Sequence, residues 1–243
     1  MSKTSWDKFL AKIDEIDNKL DKNGCVDPFY RGHSNSRWAL YPSLARRENK
    51  CYIESRIHNM FMSMGGHLMP NDTCCWEYLF YMQQYGLPTR LLDWTENFAA
   101  ALYFSIKNNN HGGAIWILDP YALNQLSLKE ETVISYEFFK KDYCDYFNIE
   151  DSGVYGKFPA DVVAMQGTFK SSRMRSQRSV FTFHSNLEAP LEKLFPDVVH
   201  KVLLPLDVIN DAKKYLRLFG TNEFTLFPDL DGLCRYIKEI ECY

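Results

Sequence analysis

Gly113-Ala114-Ile115-Trp116-Ile117-Leu118-Asp119-Pro120 is a short, continuous apolar run closed by glycine on one side and Asp-Pro on the other. Five apolar residues without alternation are too few for a helix and too uniform for a half-solvated strand, so the run predicts a strand buried on both faces. Just upstream, the alanines and aromatics of Phe98 to Ile106 suit a packed helix, which His111-Gly112-Gly113 interrupts. Apolar residues at three- and four-residue steps predict further helices over 4–21, 48–64 and 75–85, the first capped by Thr4 or Ser5 and stopped at Asn23-Gly24. Between the first two, Cys25 to Gly32 reads as a short strand that delivers Arg31-Gly32 at its end, whereas 89–95 is too mixed for a clean strand. Downstream, 121–160 reads as mostly irregular with one or two short helices. Val162 to Phe169, Ser179 to His184 and Lys201 to Leu206 are β-prone, and helices fit Val208 to Phe219 and Phe227 to Ile240. Helices thus gather in the first half and strands, with one helix pair, in the second. The expectation is one α+β domain on a mixed or antiparallel sheet, an N-terminal helix (1–24) preceding the main body (25–243) with no linker.

The 243 residues include 46% hydrophobic and 15% aromatic side chains, which excludes a disordered chain and leaves core enough to fold without disulfide or metal. With 28 Lys and Arg against 31 Asp and Glu, the net charge of −3 offers no global field for nucleic acid, so any such contact needs a local patch. The first residues lack a signal peptide's apolar run, and no stretch approaches ~18 uninterrupted apolar residues, so a cytoplasmic protein with no membrane partner is expected. Seven scattered cysteines suit a reducing compartment, and with no C-x-x-C and no i, i+4 histidine pair a metal site is not expected. G-x-G-x-x-G, G-x-x-x-x-G-K-[ST] and G-x-S-x-G are all missing, which removes the usual dinucleotide, P-loop and hydrolase signatures.

Four stretches are candidates for chemistry. In Tyr30-Arg31-Gly32 a guanidinium stands beside a glycine that permits close approach of a ligand; it either forks onto phosphate or carboxylate, or pairs with an internal acid such as Asp93 or Glu54. Gly86-Leu-Pro-Thr89-Arg90-Leu-Leu-Asp93-Trp94-Thr95 combines a fixed backbone with dense donors and acceptors. It is either a functional loop or a self-satisfied turn. Tyr103 and Phe104 follow three alanines and serve either a ring-stacking slot or the core. Lys170, Arg173, Arg175 and Arg178 form the one dense basic run, which is either solvated or turned toward phosphate.

Taken together, Tyr30-Arg31-Gly32, Trp38 to Arg46, Gln83 to Thr95, Ala101 to Phe104, Arg173 to Phe181 and Phe227 to Leu233 resemble the FRG domain family of bacteria and phages. Three positions depart from the pattern expected: Gln84 replaces a histidine, Phe98 a proline, and Ser179 a glycine after the Gln177 motif. The motif order is also similar to that of ADP-ribosyltransferases, which hold NAD in a split antiparallel sheet with a first-strand Arg or His, a middle Ser or Tyr, and a late Glu. That similarity implies NAD as co-substrate, with Arg31 and Gln177 as catalytic residues and Tyr103 stacking on nicotinamide; the charge that Gln177 lacks falls to Asp93, favoured for its place in the strongest motif, or to another acid such as Glu188. It places Tyr30, Gly32, Thr89, Arg90, Trp94, Phe104 and Arg173 among the binding residues. It further implies a nucleic-acid or protein acceptor, a role in phage defence or as a toxin, and restraint by an antitoxin. Two alternatives stand beside it: phosphate or nucleic-acid binding without NAD, and a non-catalytic module docking a partner through the aromatic segment 136–158.

Overall fold

The computed structural model describes residues 4–108, 112–147, 158–167 and 171–241. Lys170, Phe169, His111 and the 148–157 part of the aromatic segment lie outside them. The chain opens with α1 (Ser5–Lys22), started by a capping box in which Thr4 accepts from the Asp7 amide and Asp7 from the Thr4 amide. Then come β1 (Phe29–His33), α2 (Lys50–Gly65), α3 (Cys75–Gln84), β2 (Leu91–Thr95), α4 (Phe98–Ile106) and β3 (Gly113–Leu118). The rest comprises α5 (Pro120–Leu128), β4 (Val162–Gln166), α6 (Ser172–Ser176), β5 (Ser179–His184), α7 (Leu191–Leu194), β6 (Val199–Leu204), α8 (Ile209–Leu218), α9 (Glu223–Leu226) and α10 (Leu230–Glu241).

The α+β expectation holds, and the sheet is antiparallel throughout, with six strands in the order β4-β5-β2-β1-β3-β6. Two readings change. Residues 91–95, expected to be irregular, form a central strand; Leu92 and Trp94 enter the core on one face and Leu91 the core on the other, so alternation is absent and the strand is hard to see in sequence. Arg31 sits in the middle of β1 rather than at its end.

The register explains where a ligand can enter. β1 pairs with β3 over five positions and β2 pairs with β5 over five, but β1 and β2 share only Tyr30↔Thr95. Beyond that pair the ladder is not continued. The Asp93 carbonyl, which would face Gly32 in a continued antiparallel ladder, accepts instead from the Arg31 guanidinium at 2.5 Å. On one face of the sheet, α1, α4 and α8 cover the β1-β3-β6 half through Tyr30, Ile115, Ile117 and Val202. On that same face α3 and the turns 136–147 cover the β4-β5-β2 half through Leu91, Val163, Phe181 and Phe183. The two covers leave the seam between β1 and β2 open.

α4 lies so close to β1 that a Cβ on Gly32 would stand 1.8 Å from the Ala101 carbonyl oxygen, which explains both the glycine and the run of alanines. The expectation of free cysteines is corrected at one pair: Cys75 and Cys144 form a disulfide with Cα atoms 5.7 Å apart, tying the start of α3 to a segment 69 residues later. Among the described residues, no group of His, Cys, Asp and Glu is arranged to hold a metal, and no helix is long and apolar enough to cross a membrane.

Candidate functional site

The seam between β1 and β2 is the floor of a cavity of about 370 Å3. Arg31 enters it from β1 with its side chain about one-fifth exposed. Its Nε donates to His33 Nε2 at 3.0 Å, and its Nη1 lies 3.8 Å from Asp93 Oδ2. Burial, with help from the neighbouring Arg31 charge, pushes the His33 imidazole down to about 3, so the ring is neutral near pH 7 and offers a single lone pair, for which Arg31 Nε and the Trp116 indole N–H, 3.2 Å from Nδ1, compete. Asp93 projects from β2 with its carboxylate about half exposed and accepts from Gln83 Nε2 at 2.8 Å. Gln83 is itself held, because its carbonyl accepts from the Thr89 hydroxyl.

Gln177, at the end of α6, reaches the cavity from the opposite wall. Its side-chain amide donates to the Leu226 carbonyl at 2.9 Å, and its backbone carbonyl accepts from the Thr95 hydroxyl at 2.6 Å. The turn that follows falls on Arg178, which takes φ +44 without being glycine, and Ser179 begins the strand. Arg173, also on α6, lines the cavity, donates to the Gln84 carbonyl at 3.3 Å and stacks over Phe227 at 4.6 Å. Phe227 is held in turn by Gly232, where a Cβ would meet the Phe227 carbonyl at 1.9 Å. The C-terminal motif therefore buttresses the wall that carries Arg173 and Gln177.

Arg31, Asp93, Gln177, Tyr30, Gly32, Trp94, Phe104 and Arg173 all line this one cavity, although they lie up to about 150 positions apart. Three other residues expected there do not. Arg90 is buried in a bidentate pair with Glu54, at 2.5 and 2.6 Å, so Glu54 serves Arg90 and not Arg31. Thr89 is buried behind Gln83 and orients it. Tyr103 points away, its hydroxyl donating to the buried Glu223 carboxylate, which also receives Lys107 and Arg235. Burial and then Glu223 raise the Tyr103 phenol well above its ordinary value. Successive residues on a helix diverge by about 100°, and here Phe104 lines the cavity while Tyr103 turns toward Glu223.

The basic run also divides: Arg173 turns inward, while Arg175 and Arg178 are exposed. Residues 136–147 pack inward through Phe139, Tyr143 and Tyr146, which leaves the partner-docking reading without an exposed aromatic face there beyond Phe138. Sequence reasoning passed over Arg46, Trp38, His33, Gln83, Gln84, Phe80 and Phe181, all in the lining. Trp38, Arg46, Gln83, Gln84 and Phe181 stood inside the quoted motifs, so that signal was available.

The FRG domain family model matches residues 27–113. The chain carries an FRG domain. No curated protein and no solved structure matches the chain. Within the matched stretch, the FRG domain supplies β1, α3, β2 and α4, and so Arg31, Gln83, Gln84, Asp93 and Phe104 of the cavity. The opposite wall, with Arg173 and Gln177, comes from residues beyond the match.

Proposed function

We propose that the FRG domain cavity takes up NAD and transfers its ADP-ribosyl group to an acceptor in nucleic acid or protein. One observation carries this reading: the sheet opens between β1 and β2, and the opening gathers Arg31, Asp93 and Gln177 between aromatic walls. Arg31, Arg46 and Arg173 suit a diphosphate, since guanidinium forks onto phosphate oxygens. Phe104, in place of Tyr103, offers the ring for the nicotinamide. Cleaving the nicotinamide–ribose bond builds positive charge on the ribose, and Asp93 is the one carboxylate among the described residues lining the cavity that can stabilise it. Gln177 orients a ribose hydroxyl. In this reading the protein serves phage defence or acts as a toxin, the role its resemblance implies. Incubation with NAD is expected to release nicotinamide, and Asp93→Asn to lower kcat by about 100-fold or more. No release, together with no calorimetric binding of NAD, removes the proposal.

The excess of three arginines over one carboxylate in the lining also favours a second reading, phosphate binding without NAD turnover. It requires binding of nucleotides that weakens steeply with salt and with Arg173→Ala, and no nicotinamide release.

A further inference from the structure

Gln83 and Gln84 both line the cavity, yet their side chains are treated differently. Gln83 is fully engaged, donating to Asp93 and accepting from Thr89. Gln84, the last residue of α3, gives its backbone carbonyl to Arg173, but its side-chain Oε1 is shut away from solvent with no hydrogen-bond partner. A buried amide end without a partner weakens the fold and persists where something else requires it. Two of its neighbours in the lining are partnered: Arg31 has His33 and the Asp93 carbonyl, and Gln177 has the Leu226 carbonyl.

We infer that Gln84 is a binding residue held in reserve, whose amide swings from its closed position into the cavity to meet a hydrogen-bonding group of the bound nucleotide. Phe80, one turn earlier on α3, lines the same wall and supplies the flat surface beside it. The Arg173 guanidinium at the Gln84 carbonyl keeps the end of α3 in place while the side chain turns. This inference rests on the NAD reading and adds to it a residue that selects among nucleotides, and it makes stability and binding move in opposite directions. A merely structural glutamine would move them together.

The test uses the full chain and two variants, Gln84→Met, which keeps length without the amide, and Gln84→Leu. Each is melted without ligand, then titrated with NAD and with ADP-ribose by calorimetry. Expected is a Tm raised by about 2 °C as the orphaned amide is removed, with NAD affinity weakened about tenfold. A loss shared by ADP-ribose puts the partner on the ribose or diphosphate, and a loss confined to NAD puts it on the nicotinamide carboxamide; both support the inference. A lowered Tm in both variants, or a wild-type Kd in both, overturns it while leaving the NAD reading intact. A wild-type chain that binds neither compound removes the NAD reading and this inference with it.

Discussion

Two arginines from neighbouring stretches of the FRG match, Arg31 on β1 and Arg90 just before β2, meet opposite fates. Arg90 is closed in: Glu54 from α2 grips it at two points, Tyr143 donates to the same carboxylate, and the Ser185 carbonyl accepts at 2.9 Å. Arg31 is left with a neutral histidine, a backbone carbonyl and a carboxylate at 3.8 Å, at the edge of a cavity. A guanidinium gripped by a buried bidentate partner fastens the fold, whereas Arg31, with looser partners at an open seam, lines the cavity.

Glu54 carries the largest expected effect. Glu54→Ala leaves Arg90 buried without its counter-charge and is expected to cost about 3–5 kcal/mol in urea denaturation, with the seam chemistry failing only because the fold does. Arg31→Ala is the contrasting case. It is expected to lower kcat/KM for nicotinamide release by about 30- to 100-fold, the worth of charged hydrogen bonds at about 2–3 kcal/mol, while the urea midpoint moves little. Equal losses of stability from the two substitutions would mean that Arg31 fastens the fold as Arg90 does.

Each arginine also has a neutral histidine beside it, and acid sharpens the contrast. His33 and His184 are both pushed down to about 3, first by burial and then by the nearby Arg31, with Arg90 adding to the effect at His184. Below the ordinary imidazole value near 6.5 the unfolded chain takes up protons that the folded one refuses. Stability is therefore fully present above that pH and falls as pH drops toward 3, by up to about 1.4 kcal/mol per pH unit for each histidine. Denaturation at pH 6, 5 and 4 should show that slope, and His184→Leu should reduce it. Smallest of all, Tyr103→Phe removes one hydrogen bond to Glu223 and is expected to cost about 1 kcal/mol of stability with nicotinamide release unchanged. A loss of release there would bring Tyr103 back to the site.

Much of this was readable in advance where the signal is local. The helices α1, α3 and α4 fall within a residue or two of their periodic patterns, and β3 sits on its apolar run, because capping and burial period act over a few neighbours. β2 was missed because a strand covered on both faces, with Asp93 turned into the cavity, loses the alternation that marks strands. The site was legible as motif residues, not as directions: Arg90 and Thr89 share the motif of Asp93 yet face Glu54 and Gln83, and Tyr103 adjoins Phe104 yet faces Glu223. The Cys75–Cys144 bond joins two positions whose spacing carries no motif.

By itself the sequence determined the FRG motifs, the α+β class and most helix positions, since those depend on residue types within one or two turns of each other. Only the tertiary structure decided that β1 and β2 part after a single pair and that residues from 30 to 181 line one opening. That outcome depends on strand register and on which side chain finds a distant partner first, and neither is a property of any short stretch of chain.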